Sequence, residues 1–314
     1  MFDVIIIGAG PAGLAAAAAT AHHHLSTLII APDIGGKAAY RLRLPWLETP
    51  EKILGEETVE QLREQLVGAP NVRRHMDRVE RVFIHNNNFQ VICEDDGAFQ
   101  GRTVIVASGI APRMLGITGE TGLMGYGVSY STVSHVPLFT NRQVVVVGDN
   151  LRALRAAAEL NAIAQKVTLI VPNQTDIRAF SLGEKLLAEQ RVTVLSGYMV
   201  HEIMGDSHVT DIAVTAPDGT MQTIPTDGIF IEMGLKVHAG FLGSLVERSG
   251  STQIVVDEYC ATRTPGLFAA GDVTSAAHAE QILIALGEGT KAGLSVCTYL
   301  LEEKECQLHQ QAVG

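Results

Sequence analysis

The sequence predicts an α/β protein with two similar strand–helix–strand units, and three observations support this fold class. Short β-branched runs, each followed by a glycine turn and a helical stretch, begin near Phe2 and near Gln143. Apolar residues make up 46% of the 314-residue chain, enough for the cores of two domains. Only 18% of the residues are charged, so little of the chain is predicted to be disordered.

The first unit has a strand over residues 2–7, then Gly8-x-Gly10-x-x-Gly13, then an alanine-rich helix and a second strand over residues 28–31. Gly8 permits a tight turn, Gly10 lets the backbone approach a pyrophosphate, and Gly13 lets the helix pack against the strand. The free N–H groups at the start of a helix favour an anion. This context predicts a dinucleotide site.

The rest of the chain continues the same pattern. A helix is predicted over residues 58–66 and strands within residues 78–94 and 99–107. The second unit has strands at residues 144–147 and 167–171 around a helix at residues 151–164, so the dinucleotide-binding unit is predicted to be duplicated. Residues 266–301 predict a strand, a turn and a long helix.

Charge and composition exclude several function classes. The chain has 23 Lys and Arg against 34 Asp and Glu, a net charge of −11, which argues against nucleic-acid binding. None of the four cysteines forms a C-x-x-C pair or a zinc motif. The apolar N-terminus lacks a basic leader and is broken by glycines, and no apolar run is long enough to span a membrane. We therefore expect a cytoplasmic protein that neither binds nucleic acid nor enters a membrane.

A second clue to the ligand lies far along the chain. The segment Thr-Pro-Gly-Leu-Phe-Ala-Ala-Gly-Asp ends at Gly271 and Asp272, where a carboxylate beside a close backbone approach suits a sugar-alcohol hydroxyl. With the first glycine motif and Gly35-Gly36, this segment resembles the low-molecular-weight thioredoxin reductases of the pyridine nucleotide-disulfide oxidoreductase superfamily. The resemblance covers nearly the whole chain.

The resemblance implies a domain organisation. Two Rossmann-like, three-layer ββα domains are expected, with the FAD domain split by an inserted NADPH-like domain. Residues 1–112 would be the first part of the FAD domain, and residues 113–240 a degenerate NAD(P)-binding-like domain. Residues 241–314 would be the second part of the FAD domain with a C-terminal tail from residue 302. A homodimer is also implied.

The resemblance also implies the residues that would contact FAD. The helix after Gln281 would point its N-terminus at the pyrimidine edge of the flavin. At the end of the second strand Ala31 stands where a carboxylate is usual, so Asp33 is the nearest candidate for the ribose hydroxyls. The implied contacts are Gly8, Ala9, Gly10, Pro11, Ala12, Gly13, Asp33, Gly36, Lys37, Gly109, Gly271, Asp272, Gln281 and Ile282.

The chain departs from the family pattern at the redox-active cysteines. Ser131 and Ser134 fill the positions of the C-x-x-C pair, and His135 stands in place of the following Asp. Hydroxyl groups cannot form a disulfide, so dithiol exchange is lost. His135 is a candidate catalytic proton relay near neutral pH. A structural histidine is the other interpretation.

The second glycine motif is also degenerate. It reads Gly148-Asp149-Asn150-Leu151-Arg152-Ala153, with Asn150 where the family has a phosphate-approaching glycine. Residues 171–176, which include Gln174, contain no Lys or Arg for a 2′-phosphate, and only Arg178 remains nearby. Weak or no NADPH binding is expected.

Three function hypotheses remain open. The first is a flavin-dependent oxidoreductase that uses another donor, either a ferredoxin-like protein or a second flavin or nucleotide in the degenerate site. An acidic ferredoxin would need a basic face, for which the candidates are Arg41, Arg43 and the arginines of residues 73–81. The second is a thioredoxin reductase-like ferredoxin–NADP reductase. The third is a non-enzymatic flavin-binding scaffold.

Overall fold

The structure, a computed structural model, forms two compact units. Unit 1 comprises residues 1–39, 54–110 and 237–313, and unit 2 comprises residues 41–48 and 111–236. The predicted inserted domain, residues 113–240, corresponds to most of unit 2. The residues described are 1–39, 41–48, 54–173, 175–250, 252–277 and 280–313.

The elements confirm the α/β class. The strands are β1 (Phe2–Ile7), β2 (Thr27–Ile30), β3 (Val72–His75), β4 (Val79–His85), β5 (Asn88–Cys93), β6 (Ala98–Val106), β7 (Ile110–Pro112), β8 (Val128–Ser129), β9 (Gln143–Val147), β10 (Lys166–Val171), β11 (Val192–Ser196), β12 (Met199–Met204), β13 (Asp211–Thr215), β14 (Met221–Pro225), β15 (Gly228–Ile231), β16 (Leu235–Val237) and β17 (Leu267–Ala269). The helices are α1 (Pro11–His22), α2 (Glu56–Val67), α3 (Thr132–His135), α4 (Leu151–Ile163), α5 (Ser181–Leu187) and α6 (Ile282–Val313).

The central sheet of unit 1 brings the ends of several strands to one edge. Its strand order is β3-β2-β1-β6-β5-β4, and β17 pairs with β6 beyond the stretch that β5 occupies. Strands β1, β2, β6 and β17 are parallel, with Ile7 opposite Ile30 and Val106, and Val106 opposite Ala269. Their apolar side chains are buried on both faces, as expected for a covered parallel sheet. The turns that follow these strands therefore meet at one edge.

Helices α1 and α6 of unit 1 pack through small residues. A Cβ atom at Gly289 would overlap the carbonyl oxygen of Ala12, and one at Gly293 would lie 2.7 Å from the Cβ of Ala19. The alanines of α1 have the same effect, since they leave no bulky side chain between the helices. This close approach positions the N-terminal ends of both helices in unit 1.

Unit 2 repeats the strand–helix–strand plan. Its parallel sheet has the order β11-β10-β9-β15-β8, and α4 connects β9 to β10. A separate antiparallel sheet, β12-β13-β14, was not anticipated by the sequence analysis. The cores of both sheets consist mainly of Val, Ile and Leu side chains.

Two features differ from the sequence expectations. Residues 41–48 belong to unit 2, because Leu42 and Leu44 are buried in its core and the indole N–H of Trp46 donates to the carbonyl of Leu138 at 2.9 Å. The predicted tail from residue 302 is instead the continuation of α6, and its sequence is rich in good helix formers. Gly314 lies outside the described residues.

Crossing a bilayer requires a helix that is both long and apolar. None of the helices among the described residues has a stretch that meets both requirements.

Candidate functional site

The turn between β1 and α1 has the geometry that its glycines predict. Gly8 has φ +109°, and a Cβ there would lie 2.6 Å from the carbonyl carbon of Ala107. A Cβ at Gly13 would overlap the carbonyl oxygen of Gly8. Any side chain at either position would force the helix and strand apart, so the closely packed turn requires glycine at both.

The N-terminus of α1 is open to a ligand. Gly10 is its N-cap residue, no side chain caps the helix, and Pro11 stands at the first position. A Cβ built on Gly10 would meet no atom of the described structure within 4 Å. The N–H groups of Ala12 and Gly13 therefore face a space where nothing from the described chain competes for them.

The turn after β2 lies beside Gly10. The N–H of Gly35 donates to the carbonyl of Ala9 at 2.8 Å, and a Cβ at Gly36 would lie 3.2 Å from the Cα of Gly10. The next residue, Lys37, places its ammonium 2.7 Å from a carboxylate oxygen of Asp272. The two predicted segments around Gly36 and Gly271 are thus brought together in unit 1.

Gly271 is fixed by a side chain from α6. Its N–H donates to Glu288 Oε2 at 2.7 Å, and the hydroxyl of Thr274 donates to the same oxygen at 3.4 Å. Burial raises the pKa of Glu288. A Cβ on Gly271, which has φ +78°, would lie 2.9 Å from the Cβ of Ala12, so this segment also contacts α1.

The remaining predicted contacts are dispersed along unit 1. Asp33 is exposed in the turn after β2, and Gly109 follows β6 with φ +67°. Gln281 immediately precedes α6, which begins at Ile282, as the predicted helix start requires. That all of these residues contact FAD stays a prediction.

The equivalent turn in unit 2 is closed by its own side chains. Asn150 is the N-cap residue of α4, and its Oδ1 accepts hydrogen bonds from the N–H groups of Arg152 at 2.8 Å and Ala153 at 3.3 Å. Its Nδ2 donates to the carbonyl of Glu232 at 2.6 Å. The backbone N–H groups that would donate to a phosphate are therefore already hydrogen-bonded within the chain.

A buried carboxylate extends this network. The side chain of Glu232 is 3% exposed and accepts from Arg152 Nε at 3.1 Å and from the hydroxyl of Thr132. Arg152, the second residue of α4, is thus held by a carboxylate of the same unit. This pairing reduces the positive charge that an incoming phosphate would meet.

The described residues that directly follow β10, up to Asp176, contain no Lys or Arg. Asp149 accepts a hydrogen bond from Asn173 Nδ2 at 2.7 Å and another from the Thr175 hydroxyl at 3.4 Å. Gln174 lies outside the described residues. Arg178 is exposed and lies 3.9 Å from Asp176. The arrangement gives this end of unit 2 a polar, acidic character.

The segment that replaces the cysteine pair contains a buried histidine. Ser131 precedes α3 and His135 ends it, with Nδ1 of His135 2.8 Å from the Ser129 hydroxyl. Within the part of the chain that the structure describes, Nε2 of His135 has no hydrogen-bond partner. Burial lowers the pKa of His135 to about 4, so the ring is neutral at pH 7. A proton relay at His135 stays a prediction, and its ring would act in that relay as a neutral imidazole.

The sequence analysis missed three residues of the unit 1 site. Glu280 binds Lys37, Glu288 holds Gly271, and Gly289 allows α6 to reach α1. The spacing Gly289-x-x-x-Gly293 opposite an alanine-rich helix is a signal for close helix packing that could have identified the last of these. The roles of Glu280 and Glu288 depend on residues distant in sequence, and no local pattern marks them.

The comparisons with known proteins agree with this architecture. A family model described as pyridine nucleotide-disulphide oxidoreductase matches residues 2–290. A thioredoxin reductase from Listeria innocua is 34% identical over 310 residues, covering 97% of this chain and 96% of that protein. The crystal structure of thioredoxin reductase from Streptococcus pyogenes MGAS5005 is 29% identical, with a TM-score of 0.84 over 96% of this chain and 99% of that one.

Another relative is a longer protein. One component of the alkyl hydroperoxide reductase of Staphylococcus epidermidis is 32% identical over 302 residues, but this chain spans only 59% of its length. Together these findings confirm both the predicted fold class and the predicted resemblance. The chain belongs to the pyridine nucleotide-disulphide oxidoreductase family, as a thioredoxin reductase-like member.

Proposed function

We propose that the chain is an FAD-binding oxidoreductase that takes its electrons from a donor other than NADPH or NADH and does not reduce thioredoxin. Membership of its family implies a flavin cofactor. Unit 1 fits that group, because the uncapped start of α1 and the open space over Gly10 leave room for a pyrophosphate. Asp272 would bind a sugar-alcohol hydroxyl of FAD, and the start of α6 would face the flavin.

The residues of this chain would bind and orient the cofactor. When bound, FAD would supply the electron-transfer chemistry of the protein. The N–H groups of Ala12 and Gly13 would hold its phosphates, and Glu288 would keep Gly271 and Asp272 in position. Ser131 and Ser134 cannot exchange disulfides with a partner, which supports an acceptor other than thioredoxin.

The observation that carries the proposal is the hydrogen bonding of the Asn150 side chain. Its side chain bonds two N–H groups at the start of α4, whereas no side chain caps the start of α1. Each helix follows the first strand of a strand–helix–strand unit, so the two units differ in the residue that stands at the helix N-terminus. The N–H groups that the phosphates of NADPH would need are therefore already hydrogen-bonded within the chain.

The donor would be a ferredoxin-like protein or a second flavin or nucleotide. The arginines of residues 73–81 are candidate contacts for an acidic partner, and Arg73, Arg74, Arg78 and Arg81 are all exposed. Arg73 lies 5.7 Å from the ring of Phe2 and Arg81 lies 5.3 Å from that of Phe83. The other candidates, Arg41 and Arg43, lie in unit 2. A homodimer and a cytoplasmic location stay predictions.

An anaerobic titration tests the proposal. The visible spectrum of the purified protein is recorded, and NADPH, NADH and then dithionite are added in turn. We expect a flavin band that neither nucleotide bleaches within minutes and that dithionite bleaches at once. Rapid bleaching by NADPH would refute the proposal, and a protein that neither retains nor takes up flavin would refute it more completely.

A pyridine nucleotide-dependent reductase is the second candidate, which the family description favours. It includes a ferredoxin–NADP reductase and an enzyme that uses NADH. The absence of Lys and Arg from residues 171–176 makes NADH the better of the two nucleotides for this chain. Bleaching by NADH alone would select the NADH-dependent enzyme. If no donor that is tested supports turnover of the flavin, the result would select the third hypothesis, a non-enzymatic flavin-binding scaffold.

A further inference from the structure

Lys37 joins three segments of unit 1 through its ammonium group. Its Nζ lies 2.7 Å from Asp272 Oδ2 and 2.7 Å from Glu280 Oε2. The side chain of Lys37 is 39% exposed, but those of Asp272 and Glu280 are each 14% exposed. One partly exposed cation thus serves two largely buried carboxylates that approach it from different parts of the chain.

The position of this ion cluster relates it to the proposed FAD site. Lys37 directly follows Gly36, which packs against Gly10, and Asp272 directly follows Gly271, which packs against Ala12. Glu280 stands two residues before the start of α6. The cluster therefore lies beside both the phosphate-binding turn and the predicted flavin-facing helix.

The charges of the cluster bear on cofactor affinity. The Lys37 ammonium is a positive charge that the Asp272 and Glu280 carboxylates share. Without the ammonium, two carboxylates would stand close together beside a turn that must accept the negatively charged diphosphate of FAD. Like charges in such an arrangement repel, and the repulsion is stronger where the groups are shielded from water.

We propose that Lys37 is a positioning residue for FAD, which offsets the charge of Asp272 and Glu280 and holds the Asp272 carboxylate in place for the cofactor. The inference rests on the proposed FAD site in unit 1. It makes Glu280 the reason that a cation is needed at position 37. Its specific consequence is that the need for Lys37 disappears when the carboxylate of Glu280 is removed.

The test is a double-mutant cycle on the full chain. Apoprotein of the wild type, Lys37→Met, Glu280→Gln and the double variant is titrated with FAD, and the quenching of flavin fluorescence gives each Kd. Lys37→Arg serves as the matched control, because it keeps the charge. Circular dichroism melting of each apoprotein confirms that the variants fold.

The expected order follows from the charges that each substitution removes from the cluster. Lys37→Met, which removes the positive charge, should raise the Kd about tenfold at low salt, and the effect should shrink as the Debye length falls from roughly 30 Å at 0.01 M to about 3 Å at 1 M salt. The double variant, which removes one charge of each sign, should return to within about twofold of the wild type. Lys37→Arg, which keeps the charge, should raise the Kd less than Lys37→Met does.

Other outcomes would overturn the inference. A Lys37→Met variant with the Kd of the wild type would show that the ammonium does not assist FAD. A double variant as weak as Lys37→Met, or a loss that salt does not change, would show that Lys37 acts by direct contact or by packing. Failure of the wild type itself to bind FAD would instead refute the proposed function, and the inference with it.

Discussion

The side-chain amide of Asn150 donates to the carbonyl oxygen of Glu232 at 2.6 Å, while its oxygen caps the first turn of α4. A single side chain thus satisfies both the helix N-terminus and the end of the neighbouring strand β15. In unit 1 the same position in the motif is Gly10, whose N-terminal turn has no side-chain cap. One difference between the two glycine motifs is therefore a single residue that can be exchanged.

Asn150→Gly should reopen the start of α4. Stability should fall by about 1 kcal/mol, because glycine is itself an acceptable N-cap residue but the carbonyl of Glu232 loses its hydrogen bond. The released N–H groups should lower the Kd for NADH about tenfold, equivalent to roughly 1.4 kcal/mol. Isothermal titration calorimetry measures this change, with Asn150→Asp as a control that keeps the cap. If Asn150→Gly binds NADH no better than the wild type and the Asn150→Asp control do, Asn150 is not what closes the site.

Gly10→Asn is the reciprocal exchange in unit 1. A Cβ at Gly10 meets nothing within 4 Å among the described residues, so we expect the fold to remain intact. An asparagine cap would occupy the N–H groups that FAD phosphates need, and each such charged hydrogen bond contributes roughly 1.5–3 kcal/mol. The Kd for FAD should rise about a hundredfold or more, as measured by flavin fluorescence on the apoprotein.

The matched control for that exchange is Gly10→Ala, which adds bulk without a capping oxygen. It should weaken FAD binding less than Gly10→Asn, with an unchanged melting temperature in both. Equal losses in the two variants would indicate that space, rather than competition for the helix N–H groups, governs the site.

Two glycines of α6 should respond in opposite directions to alanine. Gly289→Ala places a Cβ on the carbonyl oxygen of Ala12 and should lower the free energy of unfolding by about 3 kcal/mol through overpacking. Gly287→Ala meets nothing within 4 Å in the described part of the chain and should raise it by up to about 1 kcal/mol through helix propensity. Urea unfolding compares them. Equal effects in the two variants would mean that α1 and α6 do not pack as closely as described.

Local patterns were sufficient to predict the framework of both units. The parallel strands are apolar on both faces, and Gly8, Gly10 and Gly13 are needed for reasons that act over a few residues. The start of α6 after Gln281, which the resemblance to the thioredoxin reductases implied, agrees with the structure. The uncapped start of α1 and the substitution at Asn150 could both be predicted from the residues that stand at the same position of the two motifs.

The sequence could not show which groups meet across the chain. Lys37 and Glu280 are 243 residues apart, and Asn150 and Glu232 are 82 apart, so neither pairing leaves a periodic signal. The assignment of Leu42 and Leu44 to the core of unit 2 likewise depends on tertiary packing rather than on local propensity. The acidic residues at these sites were therefore the part of the site that sequence analysis missed.

The buried histidine of α3 should make stability depend on pH. The pKa of His135 is about 4 in the folded chain against an ordinary value of 6.5, so the unfolded chain binds a proton that the folded chain excludes. Above pH 6.5 the ring is neutral in both the folded and the unfolded chain, so it does not affect stability there. As the pH falls from 6.5 towards 4, protonation favours the unfolded chain, and the free energy of unfolding falls by up to about 3 kcal/mol. His135→Gln should abolish that part of the decline, whereas other titrating groups affect both proteins alike. Parallel urea unfolding curves for wild type and variant between pH 4 and 7 measure the difference, and curves that stay a constant distance apart would show that His135 titrates normally.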